Sequence, residues 1–309
     1  MAILAHPVAS QNVPVQAPQK AEPTVTFKAS VDLVRISAVV RDRKGRFVQN
    51  LAKKDFQVLD GGITRPIADF RKDDSPVSVA LLFDVSGSME DHMDAARDAA
   101  TRVLSLLTNS QDESAVFTFD TELREAQPFQ SGVKTLPAEM SSIRPFGATS
   151  LHDAIARTAE RVAKRDALRR AVVVFTDGLD NASTLTASEV SGLASGIDVP
   201  VYIIGLVLSI DNPNSDTSVT TVERSALTGS LSNLAYWTGG EVFIASSVSE
   251  RSVTARQLVD ELRQQYLIAF EASGLSGWHP LEVRLTNRDL TVRARSGYIL
   301  GQARPITNY

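Results

Sequence analysis

The chain has 309 residues, a length that suits about two domains. It is 43% hydrophobic and 22% charged, an ordinary globular balance with ample material for a core. A net charge of -4 with no Lys/Arg-rich run argues against nucleic acid and anionic lipid as partners. The absence of cysteine excludes disulfides, thiolate metal sites and cysteine nucleophiles. No apolar run approaches the ~20 residues needed to cross a bilayer, so no transmembrane segment is expected.

Residues 1–24 read as a disordered leader and linker. Met1–Ser10 is apolar but too short for a complete signal peptide, and residues 11–24 are rich in Pro, Gln and Ala. Residues 25–76 read as the first part of a β-sandwich. Residues 31–40 alternate and are rich in β-branched side chains, Asp42–Gly45 is a hairpin turn, and short strands follow at 47–48, 56–59 and 67–70.

Residues 77–262 alternate strand and helix. Continuous apolar runs at 77–83, 115–119, 171–175, 199–205 and 241–245 suit strands buried on both faces. Helical stripes occupy 89–107 and 151–164. Strands separated by helices predict an α/β fold, a doubly wound and mostly parallel sheet. A polar insertion, Asp211–Ser230, reads as a mobile loop, and a last helix lies near 249–263. Residues 263–300 return to strands at 266–270, 281–285 and 290–295, with 301–309 a tail. Each β-rich flank is too small for its own core, so the two are expected to form one composite β-sandwich into which the α/β block is inserted.

In open α/β sheets, ligands bind beyond the carboxyl ends of the strands. Asp84, Ser86 and Ser88 follow the first strand of this block, Asp177 follows the 171–175 strand, and Thr149 enters the second helix. Two carboxylates and three hydroxyls thus converge on one sheet edge. Such hard oxygen donors suit Mg²⁺ or Mn²⁺, with Ca²⁺ as a further candidate, and not zinc or copper. Ser86, Ser88 and Thr149 supply neutral oxygens, while Asp84 and Asp177 balance the charge directly or through water. A metal held mainly by neutral oxygens stays electrophilic and accepts a further carboxylate, as from a partner's Asp or Glu.

Asp84-x-Ser86-x-Ser88, Gly147-x-Thr149 and Thr176-Asp177-Gly178 together resemble the metal-ion-dependent adhesion site of von Willebrand factor type A domains. The resemblance covers about residues 77–262. It implies a Rossmann-like fold, metal contact by Ser86, Ser88 and Thr149, and a largely water-mediated role for Asp84 and Asp177. It also implies non-enzymatic, adhesive binding of a protein ligand. Leu234-Ala235, Thr238-Gly239-Gly240, Gln265-Tyr266-Leu267 and Arg295-Ser296-Gly297-Tyr298 resemble a bacterial branch framed by β segments and commonly exported, which implies a secreted, periplasmic or cell-surface location.

Simpler roles compete for single residues. Ser88 alone would serve as a helix N-cap, and Ser150 with Asp153 reads as a capping box. His152, Asp180 and Asn181 stand as candidates for the ligand rim, with turn or solvated roles as alternatives. Trp237 and Trp278 read as packing residues. A metal-assisted hydrolase with His152 or Asp180 as base is the alternative function, and a scaffold that binds no metal is a third. A dehalogenase-type phosphatase would need Asp where Ser86 stands, and a serine hydrolase would need Gly where Asp84 stands.

Overall fold

Three strands whose side chains are entirely buried organise the molecule: β5 (Val77–Asp84), β8 (Arg169–Thr176) and β9 (Val201–Leu206), with only Arg170 reaching partial exposure. They belong to a computed structural model that describes residues 33–72, 75–207, 225–272, 274 and 276–301. The expected leader and linker, the start of the 31–40 strand, residues 208–224 with most of the polar insertion, and residues 302–309 of the tail lie outside the described residues. The elements preceding β5 are β1 (Leu33–Arg41), β2 (Phe56–Asp60), β3 (Ile63–Arg65) and β4 (Ile67–Arg71).

The α/β unit is a six-stranded sheet of order β10-β9-β8-β5-β6-β7, where β6 is Glu113–Phe119, β7 is Leu123–Ser131 and β10 is Val242–Ala245. All neighbours are parallel except β7, which runs antiparallel along β6 at the edge. Counted in chain order within the unit, this is the doubly wound order 3-2-1-4-5-6. The order reverses between β5 and β8, and in such sheets ligands bind beyond the strand ends at that point.

Period-two alternation sends successive side chains to opposite faces. Val79, Leu81, Phe83, Val173 and Phe175 pack against helices α1 (Met93–Leu106) and α5 (Val248–Arg263). Ala80, Leu82, Val172 and Val174 pack against α2 (Leu151–Ala163), α3 (Ala187–Gly196) and α4 (Ser230–Thr238). Helix α2 shows why the sequence folds this way. Leu151, Ile155, Ala159 and Val162 recur at helical spacing and are buried. Its three large apolar side chains contribute roughly 1.5–3 kcal/mol each. The polar insertion is shorter than expected, since residues from 225 onward are helical and α4 already begins at Ser230.

Both chain ends build the antiparallel remainder. One sheet has the order β13-β1-β11-β4 and the other β14-β12-β2-β3, with β11 at Tyr266–Glu271, β12 at Gly277–Leu285, β13 at Thr291–Arg293 and β14 at Gly297–Leu300. Strand β1 pairs with β11 through Leu33↔Glu271 to Ala38↔Tyr266, then with β13 through Val39↔Arg293 to Arg41↔Thr291. Strand β2 pairs with β12 from Leu281↔Asp60 to Leu285↔Phe56. A single core joins the two sheets, with Ile36, Val58, Tyr266, Phe270, Leu281 and Tyr298 among its members. Trp237 and Trp278 are 42% and 46% exposed, and the Trp278 ring covers Gly297.

The last helix is tied to these strands by charge. Glu261 of α5 is wholly buried and pairs with Arg41 of β1 and Arg293 of β13, and Arg293 also holds Glu241. No described helix is long and apolar enough to cross a membrane.

Candidate metal-binding site at the switch point

Asp84 ends β5 with no solvent exposure. Its Oδ1 accepts from the Ser86 N–H at 3.0 Å, an Asx-type turn that bends the chain out of the strand. Its Oδ2 accepts from the Thr176 hydroxyl at 2.7 Å, across to the end of β8. Thr176 Oγ1 in turn accepts from the Gly178 N–H at 3.0 Å, and Asp177 Oδ1 from the Leu179 N–H at 3.0 Å. Thr176 therefore fixes both the Asp84 carboxylate and the turn that carries Asp177. Its motif was visible in the sequence, but its tie to Asp84 needs the register of two strands that are 92 residues apart.

The Ser86 and Ser88 hydroxyls lie 3.3 Å apart, Ser86 buried and Ser88 exposed. Ser88 belongs to a 3₁₀ turn, Gly87–Met89, ahead of α1, and so does not cap that helix. A second strip of backbone runs alongside: the Phe146 N–H donates to Val85 O at 2.9 Å and the Gly87 N–H to Gly147 O at 3.0 Å. Ser86 is thus bracketed by the 146–147 segment. Gly147 has φ +89°, a left-handed backbone that turns the chain toward Thr149 at no steric cost.

Thr149 is 1% exposed, and its backbone is held on both sides. Its N–H donates to Asn181 Oδ1 at 2.8 Å, and its carbonyl accepts from the Asn181 and Ala182 N–H groups at 3.1 and 3.0 Å. The structure accordingly brings Asp84, Ser86, Ser88, Thr149 and Asp177 together on three mutually bonded segments, all buried except Ser88.

The rim candidates have internal occupations. Asp180 Oδ2 accepts from the His152 N–H at 3.0 Å and the Ser183 hydroxyl at 2.6 Å, which caps the first turn of α2 from outside. His152 Nδ1 lies 3.3 Å from that same oxygen. Asn181 serves Thr149. The expected Ser150–Asp153 capping box does not form: Ser150 makes no side-chain cap, and Asp153 instead accepts from the N–H groups of Thr184 and Leu185 at 3.1 and 2.9 Å. Pairing within 150–153 loses to bonds with the 180–185 loop, which only the fold brings near. Because Asp180 stands between Ser183 and His152, these three do not make the hydroxyl–imidazole–carboxylate relay of nucleophilic catalysis.

Burial sets the electrostatics. Desolvation first, and the nearby Asp177 carboxylate second, push Asp84 from an ordinary 3.8 up to about 7, against the hydrogen bonds from Ser86 and Thr176. Two mutually repelling carboxyl groups next to three hydroxyl oxygens form a donor set that fits a hard divalent cation. Among the described residues no three Asp, Glu or His side chains converge to hold a metal, so the hydroxyls of this cluster would have to share the task.

Residues 79–179, from β5 to the turn after β8, match the sequence profile of the von Willebrand factor type A domain. No curated protein matches the chain in sequence. Among solved structures, the protein BatB from Bacteroides thetaiotaomicron is 18% identical, covering 60% of this chain and 98% of its own, with a TM-score of 0.46. An aerotolerance-related membrane protein from Bacteroides fragilis is 18% identical over 61% and 99%, at 0.47. A von Willebrand factor type A protein from Catenulispora acidiphila is 12% identical over 89% and 76%, at 0.44. The stretch 79–179 of the α/β unit, which carries Asp84, Ser86, Ser88, Thr149 and Asp177, has the sequence of a von Willebrand factor type A domain.

Proposed function

We propose that the protein binds another protein through a divalent cation held at this cluster, without catalysing a reaction. Type A domains serve generally in protein interaction or adhesion, and they often bind a divalent metal. One observation carries the finer reading: Asp84, Ser86, Ser88, Thr149 and Asp177 lie on mutually bonded segments beyond the ends of β5 and β8, with Ser88 open to solvent. Ser86, Ser88 and Thr149 would offer neutral oxygens to Mg²⁺ or Mn²⁺, and Asp84 and Asp177 would balance its charge. The bound cation would supply an electrophilic position for an Asp or Glu carboxylate of the partner. The residues of this chain do the rest: Thr176 and Asn181 hold the three segments in place, and the apolar faces of β5 and β8 keep water from behind the carboxylates.

The geometry favours binding over hydrolysis. Asp180 is occupied as a helix cap and His152 is turned toward it, so neither is placed as a base for water at the cluster. An extracytoplasmic setting belongs to the same reading and is checked by fractionation of the source cells.

The test is thermal unfolding of the full chain in EDTA and in Mg²⁺ or Mn²⁺. Either metal is expected to raise the melting temperature, and Asp84→Ala to abolish the rise while leaving the fold intact by circular dichroism. Absence of a metal-dependent rise in the native chain would sink the site.

A further inference from the structure

We propose that Phe146 and Arg144 form a second contact point beside the cluster, so that the favoured partner is an acidic loop carrying a bulky apolar side chain next to its carboxylate. This rests on the metal-binding reading above. Phe146 is 83% exposed, the most exposed of the large hydrophobic residues among those described, with Ile63 next at 61%. Single exposed apolar residues are common and need no explanation by themselves. This one differs in two respects. It is bonded by its backbone to Val85, and its neighbour Gly147 to Gly87, so it stands directly beside Ser86. Its backbone is also fixed, because Pro145 restricts the chain before it and the Val85 bond holds its own N–H. An exposed aromatic on a fixed backbone loses only its two side-chain torsions when a partner covers it, which suits an interface anchor.

A groove of about 450 Å³ opens beside it, with Val85, Ala126, Ile143 and Phe146 as its apolar lining. Its charges decide the partner's chemistry. Asp120 is engaged by Arg124 at 2.8 Å, and Glu125 lies 3.7 Å from Arg161. That leaves Arg144 and Glu139 without an ionic partner among the described residues. Arg144 lies two residues from Phe146 and on the same exposed strap, whereas the segment beyond Ser88 is acidic, with Glu90 and Asp91 both exposed. A partner carboxylate at the cluster is therefore flanked by repulsion on the 90–91 side and by the Phe146 ring and the Arg144 guanidinium on the 144–146 side, with Glu139 also lining the groove. The flanking side chain of the partner is directed onto Phe146, and a second acid suits Arg144.

The experiment selects a library of random cyclic peptides on the full chain in Mg²⁺ with elution by EDTA, then measures synthetic selected peptides on variants. The expected peptides pair an acid with a neighbouring aromatic or large aliphatic residue. Phe146→Ser is expected to weaken them about tenfold or more, in the range of an interface hot spot. Arg144→Glu is expected to weaken those with a second acid, and neither variant should alter the Mg²⁺-dependent melting shift. Peptides that keep an acid but show no apolar preference, or that bind Phe146→Ser within twofold of the native chain, would overturn the contact point while leaving the metal site standing. A melting shift with no EDTA-eluted peptide overturns it as well. Dimerisation of the peptide-free chain that Phe146→Ser abolishes would overturn it in favour of self-association. Loss of the melting shift itself in the native chain would fall instead on the metal-binding reading.

Discussion

Replacing Asp84 by Asn separates the electrostatic argument from a general loss of structure. Asp84 is wholly buried, and its carboxyl sits at about 7 instead of 3.8 because it is desolvated and faces Asp177. A folded-state value above the unfolded one gives stability that is present below about pH 4 and lost as pH rises through about 7. At pH 8 without metal, the ionised form therefore costs the native chain about 4 kcal/mol, against about 2 kcal/mol at pH 5. Asn has nearly the same shape and no charge. Its amide still accepts from the Ser86 N–H but meets the Thr176 hydroxyl as a donor, which costs about 1 kcal/mol. The variant in EDTA is expected to be about 3 kcal/mol more stable than the native chain at pH 8, or ~6–12 °C in melting temperature, and within about 1 kcal/mol at pH 5. In Mg²⁺ the native chain gains about 2.7 kcal/mol at a hundredfold excess over its Kd and the variant gains nothing, which nearly closes the gap at pH 8. The assay is chemical or thermal unfolding at pH 5 and 8, each with EDTA and with Mg²⁺. A variant destabilised equally at both pH values, or one that keeps the Mg²⁺ gain, would refute the reasoning.

Three further outcomes test the rest of the molecule. Thr176→Val removes the donor to Asp84 Oδ2 and the acceptor for the Gly178 N–H, so it is expected to cost about 1–3 kcal/mol in denaturant unfolding and to reduce the Mg²⁺ gain. Glu261→Ala leaves Arg41 and Arg293 facing an emptied, buried site; a loss of about 3–5 kcal/mol is expected, and a change under 1 kcal/mol would show that the pairing is not a tie. Residues 77–262 expressed alone are expected to fold, since the helices within that span cover both faces of the six-stranded sheet; aggregation of the fragment, judged by gel filtration and circular dichroism, would show that it depends on the antiparallel sheets.

Much of the architecture was legible because burial on both faces leaves a strong mark. The runs Val77–Phe83 and Ala171–Phe175 contain nothing but residues that a buried parallel strand can hold, and only Ser78 interrupts them. Strand β7 was missed because it is a half-exposed edge with charged residues and Pro128, and bulges break its register with β6. Helix α3 was missed because Ser and Gly dilute its apolar stripe.

At the site, residue types and their positions after strands were enough for the sequence to specify two carboxylates and three hydroxyls at one sheet edge, because the carboxyl end of a strand is a topological address. The tertiary structure alone decided how those oxygens are held. The Thr176–Asp84 bond spans 92 residues, Asn181 reaches back to Thr149, and Asp180 replaces Ser150 as the cap of α2. Such bonds are chosen by competition among donors that the chain brings together only when folded, and no local spacing records the winner. The exposure of Phe146 is likewise a tertiary outcome, since no local spacing records whether an aromatic outside the regular elements meets core or water.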